Sequence, residues 1–131
     1  MTLAARDRLD ILELLARADN AATRRDAAGY ARLFSDDAIL DGAKGEHRGH
    51  DELITAVGQV WAAEGKDSVH LTLNAVIDEN GDRPGSATAT LVLVIIDPGP
   101  PPMLRSVSTI VQRLEKSVEG WKITRRTVSS P

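Results

Sequence analysis

The sequence predicts an α+β domain in which opening helices pack on a curved antiparallel sheet, with His70 facing the enclosed pocket. Two features predict it. Apolar residues recur at helical spacing before Ser68, and after it the period drops to two and β-branched residues dominate. A third bounds the size: 131 residues, 42% hydrophobic, suit one domain over 1–131 with one shared core.

From Asp7 to Arg25, Ile11, Leu14, Leu15, Ala18, Ala21 and Ala22 form one stripe, with Arg8, Glu13, Arg17 and Arg24 elsewhere on the wheel. Asp26 is placed to cap a short second helix through Tyr30, Leu33 and Phe34, which the turn-forming Ser35-Asp36-Asp37 closes. A short strand resumes over Ala38 to Asp41. Gly45 and Gly49 bracket a polar connection, after which Asp51 and Glu52 favour the first turn of a helix reaching about Ala63. Leu53, Val57, Val60 and Trp61 form its apolar side.

Four strands follow: Val69 to Asp78, Ser86 to Ile96, Met103 to Glu115 and Trp121 to Val128. Asn80-Gly81 and Glu119-Gly120 are hairpin signals, because Asn and Gly tolerate the positive φ of tight turns. Antiparallel pairing follows. Asp97-Pro98-Gly99-Pro100-Pro101-Pro102 lacks the N–H groups of a ladder and predicts a stiff loop between the two longest strands.

Composition excludes several functions. Sixteen Lys plus Arg against 19 Asp plus Glu give a net charge of -3, which offers nothing to phosphate backbones or anionic lipid, so neither nucleic acid nor membrane is an expected partner. With no cysteine there is no disulfide, thiolate nucleophile or thiolate metal site. The opening Met1 to Asp7 lacks the apolar core of a signal peptide, and no apolar run approaches the ~18 residues of a membrane span. A cytoplasmic location is the expectation.

The chemistry-bearing candidates begin with Ser68-Val69-His70-Leu71-Thr72-Leu73-Asn74, where alternation sets His70, Thr72 and Asn74 on one face. Covered by helices, His70 becomes a titratable group inside a cavity, suited to proton transfer; the alternative is a buried structural histidine. Asp19 and Thr23 stand four apart beside the apolar stripe of the first helix, so either can reach the cavity, while Asn20 falls on the polar side. The commoner outcome for an aspartate is a solvated flank or a pair with Arg17 or Arg24.

Arg105 and Arg125 lie in largely uncharged strands, where either could clamp a carboxylate or enolate, although surface placement is the commoner outcome for an arginine. Tyr30, Phe34 and Trp61 could wall a ligand site or simply fill the core. Glu46-His47-Arg48-Gly49-His50-Asp51 superficially suggests a metal cluster, but it lacks two histidines one helical turn apart and is interrupted by Gly49. No metal and no cofactor are expected. His47 and His50 are read as exposed loop residues, with Asp51 or a neighbour capping the following helix.

The order of elements, together with Leu33-Phe34-Ser35-Asp36-Asp37-Ala38, Gly49-His50-Asp51-Glu52-Leu53, His70 at a strand start and the ending Gly120-Trp121-Lys122-Ile123, resembles the SnoaL-like branch of the nuclear transport factor 2-like superfamily. The resemblance spans nearly the whole chain. It implies a cystatin-like, cone-shaped half-barrel with a hydrophobic pocket between first helix and sheet, and a homodimer paired through the sheets.

In the scytalone-dehydratase-like members, the resemblance implies a histidine at the start of this strand, an aspartate on the first helix and a second histidine on the next strand. His70 matches the first; Thr23 and Thr88 or Ala89 occupy the others. The acid of SnoaL-type cyclases has no counterpart between Trp121 and Thr127, nor is the aspartate–arginine–aspartate set of the epoxide hydrolases matched. The resulting expectation is a cofactor-free acid–base enzyme, a dehydratase, isomerase or cyclase, acting on a largely apolar polyketide, terpenoid or steroid-like molecule. His70 and Asp19 would be catalytic, and Tyr30, Phe34, Trp61, Asn74 and Arg105 would bind substrate. The alternatives are a noncatalytic binder and a protein-interaction module using the sheet face.

Overall fold

The computed structural model describes residues 3–131. Helices α1 (Ala5–Thr23) and α2 (Ala27–Ala31) precede strands β1 (Phe34–Gly42) and β2 (Gly45–Arg48). Helix α3 (Gly49–Ala63) then leads into β3 (Val69–Glu79), β4 (Ser86–Asp97), β5 (Met103–Ser117) and β6 (Gly120–Ser129). The strands form an open mixed sheet in the order β2-β1-β6-β5-β4-β3, in which β1 and β6 run parallel and the other neighbours antiparallel. No helix among the described residues is long and apolar enough to cross a membrane.

The predicted stripe of α1 is its buried face: Ile11, Leu14, Leu15, Ala18, Ala21 and Ala22 join Phe34, Leu53, Leu114 and Ile123 in one core. Each large side chain buried there contributes about 1.5–3 kcal/mol relative to exposure. Polar groups hold α1 at both ends. Trp121 Nε1 and Lys116 Nζ each donate to Asp7 Oδ1 at 3.0 Å. Toward the other end, α1 seals the free edge of β3: the His70 N–H donates to Thr23 Oγ1 at 3.0 Å and the Thr72 N–H to Asp19 Oδ2 at 3.1 Å. The match is geometric, since four helical residues advance about 6 Å and two strand residues about 6.6 Å.

Two expected segments differ. The second helix stops at Ala31 instead of continuing through Phe34, and Ser35-Asp36-Asp37 is strand rather than turn. The cause is nonlocal: β6 offers a partner backbone, with Ile123 N–H donating to the Leu33 carbonyl at 3.0 Å and Phe34 paired with Ile123. The polar connection after Gly45 is likewise a strand, β2, folded back on β1 with Gly45 at φ 92°. Asp26 does cap α2, accepting from the Gly29 N–H at 2.9 Å. For α3 the capping contact comes from Glu52 rather than Asp51, its Oε1 accepting from the Arg48 N–H at 3.2 Å. Between β3 and β4 the positive φ falls on Gly85 rather than Asn80-Gly81.

Bulges reverse the facing of two strands. In β3, Leu73 pairs with Val92 and Val76 with Thr90, so Asn74 and Ala75 together oppose Leu91, and Asn74 takes φ 58°. In β6, Ile123 pairs with Leu114 and Arg125 with Arg113, leaving Thr124 over. After this bulge Arg126 points inward and is buried, whereas strict alternation from Trp121 and Ile123 would have placed Arg125 there.

Asn74 is solvent-exposed, so its left-handed backbone can be tested with little loss of packing. Asn74→Val is expected to cost about 1–2 kcal/mol and Asn74→Gly to be neutral within about 0.5 kcal/mol in urea unfolding. Equal effects of the two substitutions would contradict the bulge.

Candidate functional site

A cavity of about 520 Å³ lies between α2, α3 and the inner face of the sheet, a size that suits a small organic ligand. Leu93 and Ile95 of β4, Val57 and Trp61 of α3 and Tyr30 of α2 supply apolar wall, and His70 faces in from β3. The aromatic groups interlock. The Tyr30 and Trp61 rings meet edge to face at 5.3 Å, and the Trp61 and His70 rings lie 6.5 Å apart at 78°.

His70 is 6% exposed, and its Nε2 lies 2.7 Å from Glu64 Oε1. Glu64 follows α3 and is held by three neighbours. Ser68 Oγ donates to Oε1 at 2.9 Å, the Arg25 guanidinium lies 3.8 Å away, and His70 completes the set. Arg25 also donates to the Gly65 carbonyl at 2.7 Å and to Ser68 Oγ at 2.6 Å, tying the end of α1 to the loop that carries Glu64. Burial pushes the Glu64 carboxyl up, but the hydrogen bond and charge of His70, with Ser68 and Arg25, outweigh it and hold the carboxyl below its usual range. An ionised Glu64 only accepts hydrogen bonds, so Nε2 carries the proton in this contact.

Asp19, the partner the sequence suggests for His70, is engaged elsewhere. Its Oδ2 accepts from both the hydroxyl of Thr72, at 2.6 Å, and the Thr72 N–H. Burial raises its pKa, opposed by the bonds from Thr72 and by the charges of Arg126 and His70. Thr23 accepts from the backbone N–H of His70.

The proposed binding residues divide. Tyr30 and Trp61 line the cavity, and Arg105 stands exposed at its rim, paired with Asp97 at 3.0 Å. Phe34 is sealed in the core behind Tyr30, with ring centroids 5.0 Å apart, and does not border the cavity. Asn74 points to solvent because the bulge turns it out of register with His70 and Thr72. Arg125 faces away too, bound to Asp41 at 3.2 Å and Glu46 at 3.1 Å.

Glu64, Arg126 and His47 escaped sequence reasoning as site residues. Glu64 is a loop acid with no periodicity to mark it, and Arg126 is revealed only by the bulge. His47, on β2 rather than in a loop, borders the cavity with a buried Nε2 that has no partner among the described residues. His50 sits in the first turn of α3, its Nε2 2.9 Å from the Phe34 carbonyl. No group of three or more metal-ligating side chains stands together among the described residues.

Helices packed on an open mixed sheet around a pocket form the cystatin-like fold that solved structures of other proteins share. The SnoaL-like domain family matches residues 4–127, and the chain belongs to it. A protein of unknown function with a cystatin-like fold from Nostoc punctiforme is 24% identical at a TM-score of 0.88, covering 98% of this chain and 93% of that one. A nuclear transport factor 2-like protein from Novosphingobium aromaticivorans is 22% identical, TM-score 0.81, with 94% and 80% covered. A Catenulispora acidiphila protein in complex with S-DNPA is 14% identical, TM-score 0.81, with 95% and 93% covered. These similarities show the fold. No curated protein matches the chain in sequence.

The depressed pKa of Glu64 makes a signed prediction. Its contribution to stability is complete above the ordinary glutamate pKa and disappears as pH falls through the lower folded value. The stability gap between wild type and Glu64→Gln should therefore narrow from about pH 6 to pH 3 in denaturant titrations. A gap that stays constant or widens would contradict the ion pair.

Proposed function

We propose that this protein binds a largely apolar small organic molecule in the cavity and carries out cofactor-free acid–base chemistry on it, with His70 as the proton-transfer group. The observation that carries this reading is the 2.7 Å contact between His70 Nε2 and Glu64 Oε1 at the wall of an apolar cavity. Glu64 fixes the tautomer and stabilises the imidazolium that forms when Nδ1 accepts a proton, as the carboxylate of a hydrolase triad does for its histidine. The base takes a proton from carbon next to a carbonyl. The Tyr30 hydroxyl, whose pKa burial raises, stays protonated and is a donor for the resulting enolate oxygen.

Returning the proton at another carbon isomerises the substrate; loss of a β-hydroxyl with that proton, as water, dehydrates it; attack of the enolate carbon on a second carbonyl cyclises it. Dehydratase, isomerase and cyclase activities on polyketide, terpenoid or steroid-like molecules all fit this sequence. Asp19 supports the site from behind by fixing β3 rather than by touching His70.

Deuterium exchange at the acidic methylene of β-tetralone, followed by NMR in deuterated buffer, tests the chemistry. Wild type should exceed His70→Ala by about a hundredfold or more. If the ketone binds equally to both and exchanges at the buffer rate in both, the protein is a binder without this chemistry.

The outer face of the sheet supports a second part of the proposal, a homodimer. Leu71 and Leu73 of β3 and Val107 and Val111 of β5 are 36–47% exposed on this face, a contiguous apolar surface that a monomer rarely leaves open. A second copy is the occupant that covers it, because a two-fold axis sets the same patch against itself. Sedimentation equilibrium should give a dimer for wild type and a monomer for the Leu73→Lys, Val107→Lys double variant. A monomeric wild type at about 50 μM would refute the pairing.

A further inference from the structure

Arg126 is 6% exposed, borders the cavity, and forms neither an ion pair nor a hydrogen bond through its side chain among the described residues. A buried guanidinium without a carboxylate is costly, since cations taken from water need a partner to offset desolvation. Its cross-strand neighbours are uncharged: Gln112 on β5 and Leu40 on β1. The acid whose field it feels is Asp19, and that carboxylate is committed to Thr72 and lies outside ion-pair distance of Arg126. What supports the cation is the Tyr30 ring, its centroid 5.6 Å from the guanidinium carbon.

The rest of the lining points the same way. Lys44 and Arg105 stand exposed at the rim, so three fixed cations border the cavity against one acid, Glu64, in a chain whose net charge is -3. Glu64 is already matched by Arg25 and His70, and Arg105 by Asp97. Arg126 and Lys44 are the fixed charges left over. On β2, paired through Leu40 with the strand position of Arg126, His47 presents the same cavity with a second unpartnered polar group.

We propose that the ligand of this cavity is an organic anion whose carboxylate is held by the Arg126 guanidinium while its apolar body lies against Trp61, Leu93 and Ile95. This deepens the pocket reading and rests on it. The planar guanidinium fork matches a carboxylate with two parallel N–H donations, which a lysine cannot reproduce. The anion supplies the counter-charge that the chain withholds from Arg126, so an acid should be selected over a neutral molecule of the same shape. The carboxylate end would also orient the substrate against His70.

The test compares naphthoate with naphthyl methyl ketone, an acid and a neutral near-isostere, by calorimetry at neutral pH on the full chain. Wild type should bind naphthoate about tenfold or more tightly than the ketone. In folded Arg126→Gln that preference should disappear while ketone affinity stays within about threefold; Arg126→Lys should keep part of it. Equal affinities in wild type, which need no variant to fold, would overturn the anion proposal and leave the pocket reading standing. A preference that survives in Arg126→Gln would overturn the assignment to this residue. Binding of neither probe would overturn the pocket reading and this proposal with it.

Discussion

The structure depends on how α1 closes the free edge of β3. An edge strand exposes N–H groups that must find partners, and a sheet bounded by one invites pairing with other chains. Here Thr23 and Asp19, one turn apart, take the N–H groups of His70 and Thr72, two residues apart. Farther along, Arg8 donates to the Ile77 carbonyl at 3.0 Å, so the helix runs antiparallel to the strand as a side-chain substitute for a seventh strand. The sheet can therefore stay open and curved without leaving this stretch of β3 as an unpaired ribbon, and the hollow on its inner face becomes the cavity.

That edge contact also sets the chemistry. With its backbone anchored to α1, His70 presents its ring inward from a fixed point, and the α3–β3 loop brings Glu64 to it. Arg25 links the two supports, since its guanidinium reaches both the loop carbonyl of Gly65 and the hydroxyl of Ser68 that donates to Glu64. Arg25 adopts φ 61° to do so, a left-handed conformation unusual for a residue with a side chain. The price is of order 1–2 kcal/mol, set against several charge-assisted hydrogen bonds.

Much of the fold was legible because its signals are periodic. The stripe of α1, the apolar side of α3 and the four long strands each repeat a pattern several times, so the elements appear within a residue or two of their expected limits. The errors share a cause. Ser35 to Asp37 and Glu46 to Arg48 are locally turn-like and polar, and become strands because backbone elsewhere in the chain pairs with their neighbourhood. Of the candidate site residues the sequence singles out, His70, Tyr30, Trp61 and the rim residue Arg105 border the cavity. Asn74 leaves the face of His70, and Arg126 rather than Arg125 turns inward, for one reason: a single extra residue in a strand exchanges its two faces, and neither bulge carries a glycine to announce it.

The sequence by itself determined the helix-then-strand order, the absence of cysteine chemistry and the presence of one histidine in a strand covered by an amphipathic helix, because these follow from composition and from periods of 3.6 and 2. Tertiary structure alone decided that His70 meets Glu64 rather than Asp19, that Asp19 becomes the fastening of a sheet edge, and that Arg126 rather than Arg125 enters the cavity. These outcomes turn on loop paths and bulges. Both are set by how distant backbones pair, and a linear pattern of side chains does not encode that directly.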